Sequence, residues 1–420
     1  MNFPRRAYEF MKAGSIAYAK WDYETSMNII RNRKKLLVLL VLLLPILFVM
    51  ISEAADIIGG KTAYAPAFSS TTIFFVSVAI GLGAGLITGC IGAGGGFIIT
   101  PALMAAGVKG IMAVGTDVFH IFAKAIMGTT VHKKLGNVSI GLAVAFVAGS
   151  IIGATVGGFV NRTMYNIDPA LSDAFISVVY AVILCFLGTY AAYDFLKLRK
   201  KGVPVSAHDG GEPVGKPATT TGLGMKLQAV KIPPMIKFDE DYVPGGRRIS
   251  GLIMAIGGSI VGLLAAIMGV GGGFVTFPMF VYIFGISTMT TVGTDILQII
   301  FTAGYASISQ YAIYGYVFYT LAMGMLLGSL IGIQVGALTT KVVRGIDIRG
   351  FYAVTILAGF ANRATVVPKK LGELGYIKIS KGTANGIESV GFWLFWIIIA
   401  FFGVWLFAKF FGNLKALREE

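Results

Sequence analysis

The chain has 420 residues, of which 56% are hydrophobic and only 13% charged, against roughly 25% charged in an average soluble domain. So little polar material cannot cover a water-facing surface, which excludes a soluble enzyme or binding module. The formal charge of +15 would suit nucleic acid if the bases formed one face. They fall instead in short tracts beside apolar segments, the distribution of a membrane protein, and no nucleic-acid partner is expected.

Residues 1–35 read as a basic cytoplasmic or interfacial segment, with Tyr8, Phe10, Tyr18, Trp21 and Tyr23 set among bases as in a helix lying along a bilayer surface. Residues 36–70 follow as an anchor helix and external loop. The apolar run Leu36 to Ser52 starts after "RNRKK", and its leader is too long for a secretory signal, so the helix is expected to be retained. Residues 71–196 form a first transmembrane repeat and 197–248 a hydrophilic linker with ten Lys/Arg against five Asp/Glu. A second repeat occupies 249–366, and 367–420 are expected as an extended loop and a C-terminal transmembrane helix. Val138 to Val160, Ala174 to Tyr193, Val317 to Thr339 and Val390 to Ala408 approach or reach the roughly 20 apolar residues of a membrane span. Cys90 and Cys185, without histidines nearby, are expected as small buried side chains, and no metal or cofactor is expected.

The halves share three motifs in the same order. "GAGGGFIITP" at Gly92 to Pro101 matches "GVGGGFVTFP" at Gly269 to Pro278 with an offset of 177. "VGTD" at Val114 to Asp117 returns at Val292 to Asp295 with an offset of 178, and "GSIIGATVG" at Gly149 returns as "GSLIGIQVG" at Gly328 with an offset of 179. A basic linker is cytoplasmic by the positive-inside rule. The first copy then starts outside and ends inside, and the second starts inside, so the expected fold is an all-α polytopic membrane protein of two inverted-topology repeats. The N-terminus is expected in the cytoplasm and the chain in the inner membrane. The basic tract Arg363 to Gly382 conflicts with this bias if Phe351 to Asn362 completes a span.

No Asp, Glu, Lys or Arg lies between Lys61 and Lys109 or between Arg248 and Asp295. Each run is long enough for about two crossings, and each has its glycine cluster near the middle. Consecutive glycines cost about 1 kcal/mol each in a helix, and a following proline removes a backbone donor, so the helix should break or re-enter there. Non-helical backbone at membrane depth needs protein or a water-filled cavity around it. The amides where the helix resumes would attract an anion, which makes Gly92, Gly94, Gly95, Gly96, Gly269, Gly271, Gly272 and Gly273 candidate substrate contacts. Close helix packing is the competing reading of glycine, and it accounts for "GLGAG" at Gly81 and for "GSIIG". A dinucleotide fingerprint is rejected, since it requires a soluble strand-turn-helix unit.

Beyond each cluster lie a few polar side chains: Thr116, Asp117, His120 and Lys124 in the first half, and Thr294, Asp295, Gln298 and Thr302 in the second. Asp117, His120 and Lys124 share one helical face. An ionisable group at membrane depth faces a cavity or a partner. Thr116, Thr294, His120, Gln298 and Lys124 are therefore candidate substrate contacts, and Asp117 and Asp295 candidate coupling sites for protons. Two alternatives stay open: a buried network that only locks helices, and capping of a helix start by "GTD".

The paired "GxGGGF…P" and "VGTD" segments around a central hydrophilic loop resemble the TauE/SafE sulfite exporter family, also called toluene sulfonate uptake permeases. The resemblance covers about Thr71 to Phe411 and implies a secondary transporter for small sulfur-containing or organic anions such as sulfite, sulfonates or sulfoacetate. The partners are then a small anion, the lipid bilayer and, for uptake against the membrane potential, a coupling ion such as the proton. An anion channel and a proton-coupled permease for sulfate or a carboxylate are the alternatives. A membrane enzyme is disfavoured for want of a metal-ligand cluster or nucleophile pair.

Overall fold

The computed structural model describes residues 71–91, 95–134, 139–201, 222–239, 246–339 and 343–413. The chain divides into two units, 1–60 and 61–420, and every described residue belongs to the second. The N-terminal arm, the anchor helix and most of the expected linker therefore lie outside the described residues.

Backbone groups in hydrocarbon must bond within their own segment, so charge-free runs become helices. The first half has α1 (Thr71–Ile91), α2 (Gly96–Ala105), α3 (Gly110–Lys134), α4 (Ile140–Ile167) and α5 (Pro169–Lys201). A short α6 (Gly222–Ala229) and an antiparallel hairpin, β1 (Met235–Phe238) with β2 (Arg247–Ser250), precede the second half, a structured addition to a linker expected only as polar chain. The second half has α7 (Gly251–Met268), α8 (Gly273–Pro278), a π-turn (Met279–Ile283), α9 (Thr288–Tyr305), α10 (Tyr319–Thr339), α11 (Gly345–Glu373) and α12 (Lys381–Gly412). Only residues 374–380 separate α11 from α12, so the expected extended loop is mostly helix.

Eight of the described helical segments are long and apolar enough to cross a membrane, making this an all-α polytopic membrane fold. Outward residues are apolar at helical spacing, as a lipid-facing surface requires: Val144, Ile152, Val156 and Phe159 on α4, and Val390, Trp393, Ile397, Phe401 and Val404 on α12. Cys90 is buried as expected, whereas Cys185 lies exposed on the outer face of α5. α3 is too polar to be read as a span from hydropathy, yet every residue from Gly110 to Val118 is buried.

Glycine sets the packing. α1 lies against α10 and α4 against α7 at backbone contact. A Cβ on Gly85 would fall 2.6 Å from the Ser329 carbonyl oxygen, and one on Gly153 2.7 Å from the Leu263 nitrogen. The two pairs repeat each other. Gly81 faces Met325 and Gly85 faces Ser329 in one, while Gly258 faces Phe146 and Gly262 faces Ser150 in the other. In each pair residue numbers rise together, so the helices run parallel.

Helices that correspond between halves pack antiparallel. On α3, against α9 and the π-helical segment Ala306–Tyr311 that continues it, Gly115 faces Tyr311 while Phe122 faces Gly304. On α5 and α11, Asp173 pairs with Lys370 at 3.5 Å and Asp194 with Arg349 at 3.1 Å. Polar ties cross the same way. The Thr116 hydroxyl accepts the Phe318 N–H at 2.9 Å where α10 begins, and the Thr294 hydroxyl accepts the Ser139 N–H at 3.1 Å where α4 begins.

Gly83 differs from its neighbours, since a Cβ there would meet only the Ile399 side chain, at 3.4 Å. Gly85→Ala is expected to destabilise the purified protein by about 1–3 kcal/mol through overpacking, and Gly83→Ala to stay within about 0.5 kcal/mol of wild type. Thermal unfolding in one detergent checks both, and equal midpoints for the two variants would contradict the backbone contact.

Candidate functional site

The glycine clusters interrupt their helices as expected. α1 stops at Ile91 and α2 begins at Gly96, with Gly95 at φ +70°. α7 stops at Met268 and α8 begins at Gly273, with Gly269, Gly271 and Gly272 at φ +82°, +60° and +92°. Such left-handed backbone is readily available only to glycine. Gly92 and Gly94 lie outside the described residues.

The two breaks meet. A Cβ on Gly96 would fall 2.9 Å from the Val270 Cα and 2.8 Å from the Ile121 side chain, and the rings of Phe97 and Phe274 stand 5.7 Å apart. Gly269 lies against Thr100 and Val114, and Gly271 against Ile121. All of these residues are buried. The first-turn amides of Gly96 and Phe97 on α2, and of Gly273 and Phe274 on α8, lack intrahelical acceptors by position. They start two helices from one region, with oriented dipoles and little side-chain bulk.

The opposite need, for donors to the carbonyls ending α7, is met by groups that sequence reading missed. The Ala265 carbonyl accepts the Gly269 N–H at 2.8 Å. Asn161 Nδ2 donates to the Ala266 and Ile267 carbonyls at 3.2 and 3.1 Å. Tyr311 donates its hydroxyl to the Ala266 carbonyl as well, and Tyr180 donates to the Met268 carbonyl. Asn161 also donates to Tyr311 Oη at 3.0 Å. An asparagine that directly follows the long apolar run of α4 was the available signal.

Asp117 and Asp295 both lie well inside their helices, and Ser287 is the N-cap of α9. Capping of a helix start by "GTD" is therefore not their role. Thr116 and Thr294 instead brace the starts of helices in the other half, as described above. Asp117 Oδ2 accepts the Thr100 hydroxyl at 2.9 Å, which ties α3 to α2. Its Oδ1 lies 3.8 Å from His120 Nδ1, and neither of these two atoms has a hydrogen-bond partner among the described residues. His120 Nε2 is 2.8 Å from Ser329 Oγ, whose hydroxyl donates to the Gly81 carbonyl at 3.2 Å. With the serine proton committed there, the imidazole donates from Nε2. Its Nδ1 lone pair then faces the Asp117 carboxyl oxygen at 3.8 Å, beyond hydrogen-bond distance. Lys124 Nζ reaches the Thr88 hydroxyl at 3.4 Å.

The second half replaces this arrangement with neutral groups. Gln298 Nε2 donates to Asp295 Oδ1 at 2.8 Å, Thr302 donates to Gln298 Oε1 at 2.9 Å, and Thr302 meets Ser150 Oγ at 2.6 Å. Ser150 and Ser329 correspond by the repeat offset, so each half presents a serine to the other half's polar helix. The structure thus gathers Asp117 with His120 and Asp295 with Gln298, and attaches Lys124 to α1.

Asn161→Leu leaves the Ile267 carbonyl without its side-chain donor, whereas after Tyr311→Phe both Ala266 and Ile267 keep Asn161. Each unsatisfied buried group costs about 1–3 kcal/mol. Asn161→Leu is therefore expected to lower the unfolding temperature more than Tyr311→Phe, and the reverse order would contradict this account of the break.

Comparison with known proteins agrees with this plan. The family model described as "Sulfite exporter TauE/SafE" matches residues 77–362. A "Probable membrane transporter protein YunE" of Bacillus subtilis (strain 168) is 25% identical over 275 residues, covering 63% of this chain and 87% of its own length. A second protein of that organism, "Probable membrane transporter protein YjnA", is 24% identical over 265 residues, covering 62% and 87%. A "Probable membrane transporter protein" of Xylella fastidiosa (strain 9a5c) is 24% identical over 273 residues, covering 64% and 85%. No solved structure gives a significant match. With its paired glycine breaks, its reciprocal helix contacts and a family match over most of its length, the chain belongs to the TauE/SafE family of membrane transporters.

Proposed function

We propose that the chain carries a small sulfur-containing oxyanion, sulfite or an organic sulfonate, across the membrane by alternating access. In this reading the halves are inverted repeats and the anion sits between the two glycine breaks. The observation that carries it is the meeting of the breaks, where two helix starts share one buried region of exposed backbone. Antiparallel packing of α3 with α9 and of α5 with α11 supports inversion, because corresponding helices in two-fold-related halves oppose each other. The match to a family described as a sulfite exporter supports the substrate class.

The glycine amides of 95–96 and 271–273 hold the anion, and Lys124 contributes positive potential. Thr116 and Thr294 act indirectly, by fixing the starts of α10 and α4. Asp117 and His120 hold one exchangeable proton between them, and this pair is the coupling site. Asp295, bonded to an uncharged amide, is a structural counterpart. The side carrying the β1–β2 hairpin is the cytoplasmic side, and the membrane is the inner membrane. Export of an anion runs down the membrane potential, about 2.3 kcal/mol per charge per 100 mV, so the proton matters for uptake or for exchange.

Liposomes holding the purified protein test the reading. Unlabelled sulfite inside should drive accumulation of labelled sulfite, as a carrier requires and a channel does not. Absence of counterflow for sulfite and for a panel of sulfonates would remove alternating access.

His120→Gln, which copies the second half at Gln298, is expected to keep counterflow within about threefold while abolishing stimulation by an imposed proton gradient. Asp117→Asn should behave the same way. Gradient stimulation unchanged in both variants would remove the pair from coupling.

A further inference from the structure

A cavity of ≈ 340 Å³ opens at the end of the helix bundle, away from the glycine breaks and from the β1–β2 hairpin, between the α2–α3 connection, the start of α5, the last third of α11 and the start of α12. Its volume lies at the small end of the range of ligand pockets, about 300–1,000 Å³. Four cationic side chains line it, Lys109, Arg363, Lys369 and Lys370, against two carboxylates, Asp173 and Glu388.

The carboxylates are already taken. Glu388 pairs with Lys369 at 2.7 Å and Asp173 with Lys370 at 3.5 Å, while Asp173 Oδ1 also accepts the Gly110 N–H at 2.7 Å. Arg363 is only 2% exposed and has no carboxylate within ion-pair distance among the described residues. Its Nε and one terminal nitrogen both donate to Asn362 Oδ1, at 2.8 and 2.6 Å, and the other terminal nitrogen meets only the Met104 sulfur, at 3.3 Å. A thioether is a weak acceptor. A guanidinium has five donors in a planar fork that fits two oxygens of one oxyanion. A buried cation left without an anion is costly.

We propose that this cavity is a second anion site, in which Arg363 binds a sulfate- or phosphate-type oxyanion with Lys109 at the rim and Lys370 beside it. It is separate from the glycine breaks and does not depend on the transport reading. Free inorganic oxyanion and the phosphate of an anionic lipid share the required chemistry.

The full chain, purified in an uncharged detergent at low salt, tests the site in two arms. In the first, inorganic sulfate is titrated calorimetrically. In the second, retention of phosphatidylglycerol is read by native mass spectrometry. Arg363→Gln and Lys109→Gln are each expected to weaken the occupied arm at least tenfold. Glu388→Gln, which removes a negative charge from the lining and releases Lys369, should strengthen it severalfold, a gain that damaged folding would not produce. Loss confined to the sulfate arm identifies a free oxyanion, and loss confined to the lipid arm identifies a headgroup. Sulfate and lipid binding unchanged by Lys109→Gln and Glu388→Gln, or absent from the wild-type protein, overturns the proposal.

Discussion

A helix interrupted in hydrocarbon strands carbonyls on one side of the gap and amides on the other, and water is not there to receive them. The second half answers the carbonyl side completely. The four that end α7 accept from Gly269 in the break itself and from Asn161, Tyr180 and Tyr311, drawn from α4, α5 and the segment after α9. Those donors reach the break only because α4 lies at backbone distance from α7, which the Gly149, Gly153, Gly258 and Gly262 contacts permit. Small residues in the long helices and interrupted backbone in the short ones are therefore parts of one arrangement. Among the described residues no side-chain acceptor takes the amides that start α2 and α8, and the anion site proposed above rests on that imbalance.

Duplication gives the halves one scaffold, but their interiors have diverged. Thr116 and Thr294 keep the same task, and Ser150 and Ser329 take corresponding positions. Where the first half has His120 and Lys124, the second has Gln298 and Thr302 joined in a continuous neutral chain from Asp295 to Ser150. A chain of amides and hydroxyls with every bond made rigidifies a core. An imidazole 3.8 Å from a carboxyl oxygen, with both near atoms unpartnered among the described residues, has not reached that state. Unpartnered buried polar atoms accordingly lie in the polar helix of one half, while the corresponding helix of the other carries a closed chain of hydrogen bonds, and the coupling role proposed above rests on that contrast.

Much of this plan was legible in the sequence because it is carried by residues with a strong local effect. Glycine clusters ended by proline break helices whatever surrounds them, and the duplicated order of three motifs identified the two halves. What remained hidden depends on contacts far apart in the chain. Asn161 and Tyr311 are separated by 150 residues, and nothing near either one announces a partner. Asp117 and Asp295 looked equivalent within "VGTD", and only the neighbours three residues on separate them. The extent of α11 was misread for a related reason. Arg363, Lys369 and Lys370 look like the end of a span, but their partners on α2, α5 and α12 let the helix continue to Glu373.

Those partners also bear on orientation. The basic tract after Asn362 lies at the bundle end opposite the β1–β2 hairpin, since α11 runs antiparallel to α5 and α5 ends toward the linker. Taken as a bare count of bases, it argues against a cytoplasmic hairpin. The positive-inside bias, however, concerns charges presented to the membrane surface during insertion, and acidic residues contribute little to it. Within the folded bundle Lys369 and Lys370 are engaged by Glu388, Asp173 and Glu373, and Arg363 is buried. Their retention on that side is better explained by what they hold in the folded protein than by topology signalling. The hairpin end keeps the larger excess of bases in the linker sequence, which is why the orientation proposed above follows the linker and not this tract.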